Sequence, residues 1–329
     1  MRTRALGKTD LHLSIVGLGT WAIGGPWDYG WGPQSDADSI ATVQRALDLG
    51  INWIDTAPAY GLGHAEEVIG RAIRGRRNRV ILATKCGLVW KEKSQSVFGR
   101  LTAASIQNEA EDSLRRLEAS VIDLYQIHWP NPAEAIEDAW EAIHGLIEQG
   151  KVRYAGVSNF IVQQMEPVHK IHPIASLQPP YSLLDRAAET EILPWCKRRE
   201  IGVIAYGPMA YGLLTGKYTR EALQALPHDD WRRKGARFQE PELSANLDFV
   251  AGLKALSRKT GYPVAHLAIA WVLRRPEVTA TLVGRHPRQI EETAGVVDLE
   301  LSKDIMLEIE RLLQKRDLAL IGQRPADGP

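Results

Sequence analysis

Two spacings of apolar residues take turns along this chain. Short runs rich in Val, Ile, Leu and Tyr are each followed by a stretch with helical periodicity that closes on a glycine or a basic residue. The runs predict strands at Ile15–Leu18, Asn52–Ile54, Val80–Thr84, Asp123–Ile127, Val152–Val157, Ala175–Gln178, Gly202–Tyr206 and Thr279–Val283. Between them the pattern predicts helices at Asp36–Leu49, Ala65–Arg74, Ala103–Leu117, Ala133–Gln149, Ile161–Lys170, Ala188–Arg199, Leu247–Lys259 with Pro263–Arg274, and Pro287–Ala294. A last helix near Lys303–Gln314 is surplus to the repeat.

Eight strands alternating with helices, without a composition break marking a linker, predict an α/β fold. The expected form is a closed parallel (α/β)8 TIM barrel, with residues 1–329 as a single domain. A doubly wound sheet is the alternative. Arg2–Leu6 and Leu11–Ser14, joined through GKTD, read as an N-terminal β-hairpin closing the barrel floor. The longest connection, about Pro208–Asn246, carries the charged run DDWRRK and reads as a lid or decoration. The tail from Gly322 reads as frayed.

Composition narrows the function. Lys plus Arg and Asp plus Glu each total 40, so no bulk field favours nucleic acid or an acidic membrane surface. Cys86 and Cys196 are too few for a disulfide framework or a cysteine metal site, and no H-E-x-x-H or clustered Cys/His spacing exists, so no metal is expected. No apolar run reaches signal-peptide or membrane-helix length. The expectation is a soluble, cytoplasmic protein.

In a parallel barrel the active site forms where strands end, so polar residues at those ends carry the first clue. Asp55 follows NWI, Lys85 follows VILAT and His128 follows DLYQI, while Tyr60 shares the loop with Asp55. Singly these residues read as a helix cap, a surface charge, a core histidine and packing. Together they suit reduction of a carbonyl by hydride, where the developing alkoxide needs a proton. A phenol supplies it when a nearby ammonium stabilises the phenolate, and a carboxylate keeps that ammonium charged.

GINWIDTAPAYGLGHAEEVIG, VILATKCG and DLYQIHWP are similar to the aspartate/tyrosine, lysine and histidine segments of the aldo-keto reductase superfamily, and the resemblance covers nearly the whole chain. It implies Tyr60 as general acid, Asp55 and Lys85 tuning it, and His128 positioning the carbonyl. It also implies NADP(H) across the barrel mouth, with Gly19, Thr20 and Trp21 beside it. Ser158, Asn159 and Gln178 would bind the nicotinamide carboxamide, and Tyr206 would stack on the ring. Gly207, Pro208, Met209, Gly212, Leu213 and Lys217 would follow the pyrophosphate, with Gly207 standing where serine is usual and Tyr211 where a small residue is. Gly284, Arg285, Gln289 and Glu292 would hold the adenosine 2′-phosphate and adenine, Thr293 replacing a common asparagine.

Two decoys fail. GLGTWA at Gly17–Ala22 fits a Rossmann fingerprint, but Ile23, Gly24, Gly25, Pro26 and Trp27 follow where a helix should start. GLLTGKY at Gly212–Tyr218 lacks the first glycine and the final Ser or Thr of a phosphate loop.

Ten tryptophans are many for this length, and Trp21, Trp27, Trp31, Trp90, Trp129 and Trp231 fall in or beside strand-to-helix loops. Trp21, Trp27, Trp90 and Trp129 are the expected walls of a pocket for an apolar or aromatic carbonyl compound. Two other readings stand beside the reductase: an NADPH-binding partner subunit, like the family's potassium-channel β subunits, and a Schiff-base enzyme using Lys85. The family's frequent monomer is the expected state of assembly.

Overall fold

The computed structural model describes residues 1–27, 29–91, 96–227, 230–284 and 286–321. Its strands are β1 (Thr3–Ala5), β2 (His12–Ser14), β3 (Val16–Gly19), β4 (Trp53–Asp55), β5 (Ile81–Cys86), β6 (Leu88–Trp90), β7 (Val97–Gly99), β8 (Ile122–Ile127), β9 (Val152–Ser158), β10 (Ser176–Gln178), β11 (Gly202–Ala205) and β12 (Val278–Val283). Eight of them close a barrel in the order β10-β11-β12-β3-β4-β5-β8-β9, every neighbouring pair parallel. The eight predicted strands are these eight, each within a residue or two. Around them lie α1 (Asp36–Asp48), α2 (His64–Ala72), α3 (Ala103–Arg116), α4 (Ile136–Glu148), α5 (Val162–Ile171), α6 (Ile192–Arg199), α7 (Arg220–Gln224), α8 (Glu242–Thr260), α9 (Val264–Leu273), α10 (Pro287–Ala294) and α11 (Lys303–Ile321).

Side chains in a strand alternate between faces, and here that alternation sorts the barrel interior into layers. The lower layer is apolar: Trp53, Ala83, Leu124, Ile204 and Ala280 meet Leu6, Leu11 and Leu13 of the β1-β2 hairpin, which plugs the floor as predicted. Trp53 fills that space because β3 offers no side chain opposite it. A Cβ on Gly17 would lie 2.1 Å from the indole ring. Two residues further up each strand the facing positions are polar: Asp55 above Trp53, Lys85 above Ala83 and Gln126 above Leu124. The outward residues Ile54, Tyr125 and Ile127 pack into the larger core beneath the helices.

Sequence patterning misses three features. The β6-β7 hairpin was not foreseen, and the long connection carries α7 and several 3-10 turns instead of structureless chain. Within the charged run a buried ion pair forms: Arg232 is buried and its Nη2 lies 2.6 Å from Asp230 Oδ2, while Lys234 is exposed. The tail from Gly322 lies outside the described residues.

On the outer surface His144 of α4 stacks on His172 just past α5, ring centroids 3.6 Å apart and planes 16° apart. Burial, and then the neighbouring His172, push the His144 imidazole down to about 4, against a weaker opposite pull from Glu141. In the unfolded chain this histidine takes a proton near its ordinary pKa of about 6.5. The unfolded state therefore binds more protons between those two values, and stability falls as pH drops through that window. His144→Phe keeps a ring in the stack but cannot titrate. Denaturant melts of parent and variant between pH 4 and 7 should show a shallower loss of stability in the variant; equal slopes would assign the loss elsewhere.

Candidate active site

Four sequence candidates meet at the C-terminal end of the barrel. Asp55 is the last residue of β4, Lys85 lies inside β5 one residue before its end, His128 directly follows β8, and Tyr60 sits in the loop between β4 and α2. Lys85 Nζ donates to Asp55 Oδ1 at 2.6 Å, to the Thr56 carbonyl at 3.0 Å and to Tyr60 Oη at 3.4 Å. An ammonium has three protons, and each has an acceptor here. Asp55 Oδ2 in turn accepts from Gln178 Nε2 at 2.8 Å and Gln126 Nε2 at 3.3 Å. The Tyr60 and His128 rings meet edge to face at 5.7 Å.

Gln126 was not picked out in the sequence. Its only signal there is an amide inside the otherwise apolar upper half of IDLYQI. Gln178, expected to face a cofactor amide, spends its own N–H on Asp55.

Burial pulls the Lys85 ammonium down, but the charge and hydrogen bond of Asp55, with Tyr60 adding, raise it overall. Burial pushes the Tyr60 phenol up, and Lys85 pulls it only part of the way back. Lys85 thus acts on Tyr60 in the expected direction, and burial sets the net shift. The phenol keeps its proton at neutral pH, so it is held as an acid. His128 is driven well below its usual range by burial and by Lys85, so its imidazole is neutral. Its Nδ1 is buried without a hydrogen-bond partner among the described residues.

Beside this group lie the residues expected to hold a nicotinamide cofactor. Ser158 Oγ donates to the Gln178 carbonyl at 2.9 Å. Asn159, in left-handed backbone at φ 64°, donates to the His128 carbonyl at 3.0 Å and accepts from Tyr206 Oη at 2.8 Å. Tyr206 follows β11, and after it Gly207, Ala210, Tyr211, Gly212 and Gly216 all have positive φ in a tightly curled segment that includes Pro208, Met209 and Leu213. Gly19 ends β3, and the Thr20 amide and hydroxyl both donate to the Asp55 carbonyl. Gly284 follows β12; a Cβ there would lie 2.9 Å from the Gly19 carbonyl oxygen. Exposed Lys217 and Glu292 pair with each other at 3.0 Å, and exposed Gln289 stands in the first turn of α10. Arg285 lies outside the described residues.

Of the expected wall residues, Trp21 and Trp27 do join the mouth. Trp27 lies 6.2 Å from the Tyr60 ring, and Trp21 stacks on Trp231 at 5.6 Å. Tyr211 meets Trp231 edge to face at 4.8 Å, so the residue that departs from a usual small side chain belongs to an aromatic roof. The Arg232 guanidinium lies 4.6 Å from the Trp31 ring centre and donates to Tyr218 Oη, tying the loop after β3 to the loop after β11. Trp129 is 44% exposed at the rim. Trp90, on β6, lines a depression of about 430 Å³ that none of the four central residues touches.

The chain is similar to known proteins over nearly its whole length. Residues 15–314 match the model of the Aldo/keto reductase family. "Aldo-keto reductase YhdN" of Bacillus subtilis is 40% identical over 95% of this chain and 94% of that protein. The "NADH-specific methylglyoxal reductase" of Escherichia coli is 32% identical over 96% of this chain and 100% of that protein. Among solved structures, the glycerol dehydrogenase AKR11B4 from Gluconobacter oxydans superposes with a TM-score of 0.88 at 38% identity, covering 99% of this chain and 98% of that one.

The Tyr60 loop rests on a backbone-to-backbone contact. A Cβ on Gly24, in the 3-10 turn Trp21–Gly24, would lie 2.6 Å from Gly61 N and 2.7 Å from the Tyr60 carbonyl carbon. Backbone on both sides leaves nothing flexible to give way. Gly24→Ala should cost about 1–3 kcal/mol, the usual range for overpacking. Chemical denaturation of parent and variant measures it, and an unchanged midpoint would show that the contact can relax freely.

Proposed function

The chain belongs to the aldo/keto reductase family of oxidoreductases, and from that premise we propose that it reduces aldehydes or ketones to alcohols with NADPH, Tyr60 acting as the proton donor. The observation that carries the reading is the Lys85 to Tyr60 contact. An ammonium can only donate, so Tyr60 Oη is the acceptor there and its own hydrogen is left for another acceptor. A carbonyl oxygen between Tyr60 and His128 would receive it.

Each residue has a separate task in this reading. Lys85 stabilises negative charge on the phenol oxygen as its proton leaves. Asp55 keeps Lys85 charged, and Gln126 and Gln178 hold the carboxylate in place by donating to its other oxygen. Neutral His128 donates a hydrogen bond that orients the carbonyl. When bound, NADPH supplies the hydride. The buried, unpartnered His128 Nδ1 and the left-handed run after Tyr206, a shape in which successive N–H groups can face an anion, both fit such a ligand. The aromatic roof of Trp21, Trp27, Tyr211 and Trp231 supports an apolar or aromatic carbonyl substrate. An intact proton-donor geometry favours an enzyme over a non-catalytic partner subunit.

Tyr60→Phe removes the proton but not the ring. It should bind the cofactor nearly as the parent does and reduce a test aldehyde about 10²- to 10⁴-fold more slowly. Near-normal turnover would end the assignment of Tyr60.

Choice of cofactor is a separate matter, because one relative is named NADH-specific. The 2′-phosphate alone distinguishes NADPH, and Arg285, Arg288 and Gln289 follow the last barrel strand. A guanidinium can hold that phosphate through paired, charge-assisted hydrogen bonds. Arg285→Ala should weaken NADPH binding roughly 10- to 100-fold and NADH binding much less. Dissociation constants for both cofactors decide it. Equal losses would remove Arg285 from phosphate recognition, and tighter NADH binding by the parent would reverse the proposed preference.

A further inference from the structure

Outside the barrel wall, α3 brings a carboxylic acid against the strand that carries Lys85. Glu109 Oε2 accepts from the Gly87 backbone N–H at 2.8 Å, and Oε1 accepts from Ser105 Oγ at 2.8 Å. Gly87 stands two residues beyond Lys85, in left-handed backbone at φ +85°, and a Cβ there would lie 2.5 Å from Leu101 Cδ2. Between them, the Cys86 carbonyl accepts from His128 N–H at 3.0 Å. Three consecutive residues thus present the ammonium, hold the backbone of His128 and hang on Glu109.

Resting on the reductase reading, we propose that Glu109 is a positioning residue: ionised, it holds Gly87 and keeps the end of β5 where Lys85 and His128 both face Tyr60; protonated, it loosens that end and slows reduction. A carboxylate is the stronger acceptor for a backbone N–H, so loss of its charge weakens the hold without removing it. Burial raises this carboxyl to about 7, against the pull of Ser105, the Gly87 amide, Arg100 and Arg116. Glu109 also shares the wall of the 430 Å³ depression with Arg100, Asp112 and Arg116, which gives its proton a route to solvent.

The groups facing it come from every neighbouring element. Ser105, Asp112 and Arg116 lie on α3 itself, and Arg100 comes from the segment after β7. The Cys86 thiol of β5 and the Tyr125 phenol of β8 are both pushed well above their usual ranges by burial, and Glu66 of α2 acts on the same phenol. Neither therefore ionises around pH 7. Tyr60 is shifted up and His128 down, which leaves that window clear of both.

The test uses kcat for carbonyl reduction at saturating cofactor and substrate. In the parent it should rise up to about tenfold between pH 6 and 8, less than the ~10²-fold that a 1 Å misplacement costs. Glu109→Gln keeps an acceptor but cannot ionise, so its kcat should be flat across that range while the cofactor KM holds. The same rise in the variant, or no rise in the parent, would overturn the proposal.

A second measurement needs neither the variant nor turnover. Cys86 precedes a glycine whereas Cys196 precedes Lys197, so carbonyl-13C cysteine with 15N-glycine labels one peptide bond, that of Gly87. Its amide resonance in the parent should titrate with a midpoint near 7. A resonance that does not move between pH 6 and 8 would overturn the proposed switch. A parent with no carbonyl turnover at any pH would instead overturn the reductase reading, and the catalytic part of this proposal with it.

Discussion

The Lys85–Asp55 ion pair, both groups buried at the top of the barrel, is the constraint on which the rest of the site depends. Taking two charges out of water costs several kcal/mol per ion even in real proteins. Such a pair persists only when the remaining protons and lone pairs are also satisfied. Here the ammonium uses all three protons, and the carboxylate collects donors from β5, β8 and β10. The third proton of the ammonium reaches Tyr60, so satisfaction of the pair and orientation of the phenol are one arrangement.

Two kinds of contact hold that arrangement from outside. Behind β5, Glu66 of α2 accepts from Thr84 Oγ1 at 2.6 Å and from Arg116 Nε at 2.7 Å, joining α2, α3 and the lysine-bearing strand. Thr84 and Lys85 point to opposite faces of one strand, so locking the outer side chain fixes the inner one. In front, glycines let backbone meet backbone, as Gly24 does at Gly61. The roof adds a third constraint: Arg232 sits among Asp230, Tyr218 and Trp31, and so couples loops that are far apart in sequence.

These contacts also separate rigid from adaptable parts. The lower barrel is filled by Trp53 and the hairpin leucines, and interiors packed in this way tolerate little change. Specificity is left to the loops around the mouth, where Trp27, Trp129 and the long connection lie. Relatives named for methylglyoxal and for glycerol sit on the same framework.

The sequence by itself determined the eight strands, their helices, the floor hairpin and the placement of Asp55, Tyr60, Lys85 and His128 at strand ends. Periods of 2 and 3.6 are properties of short segments, so the chain displays them without folding. Residues such as Gln126 and Glu109 carried almost no signal, because a buried amide and a helical carboxylate look like ordinary strand and helix positions. Arg232 carried no signal of burial either, standing in a charged run. Only the tertiary structure decided that Gln126 and Gln178 converge on one carboxylate and that burial raises the Tyr60 phenol. It alone set Glu109 against Gly87 and His144 on His172. Each of these is settled by desolvation and by hydrogen bonds between groups that the chain brings together from distant segments, and no local pattern encodes how much water a side chain loses or which partner replaces it.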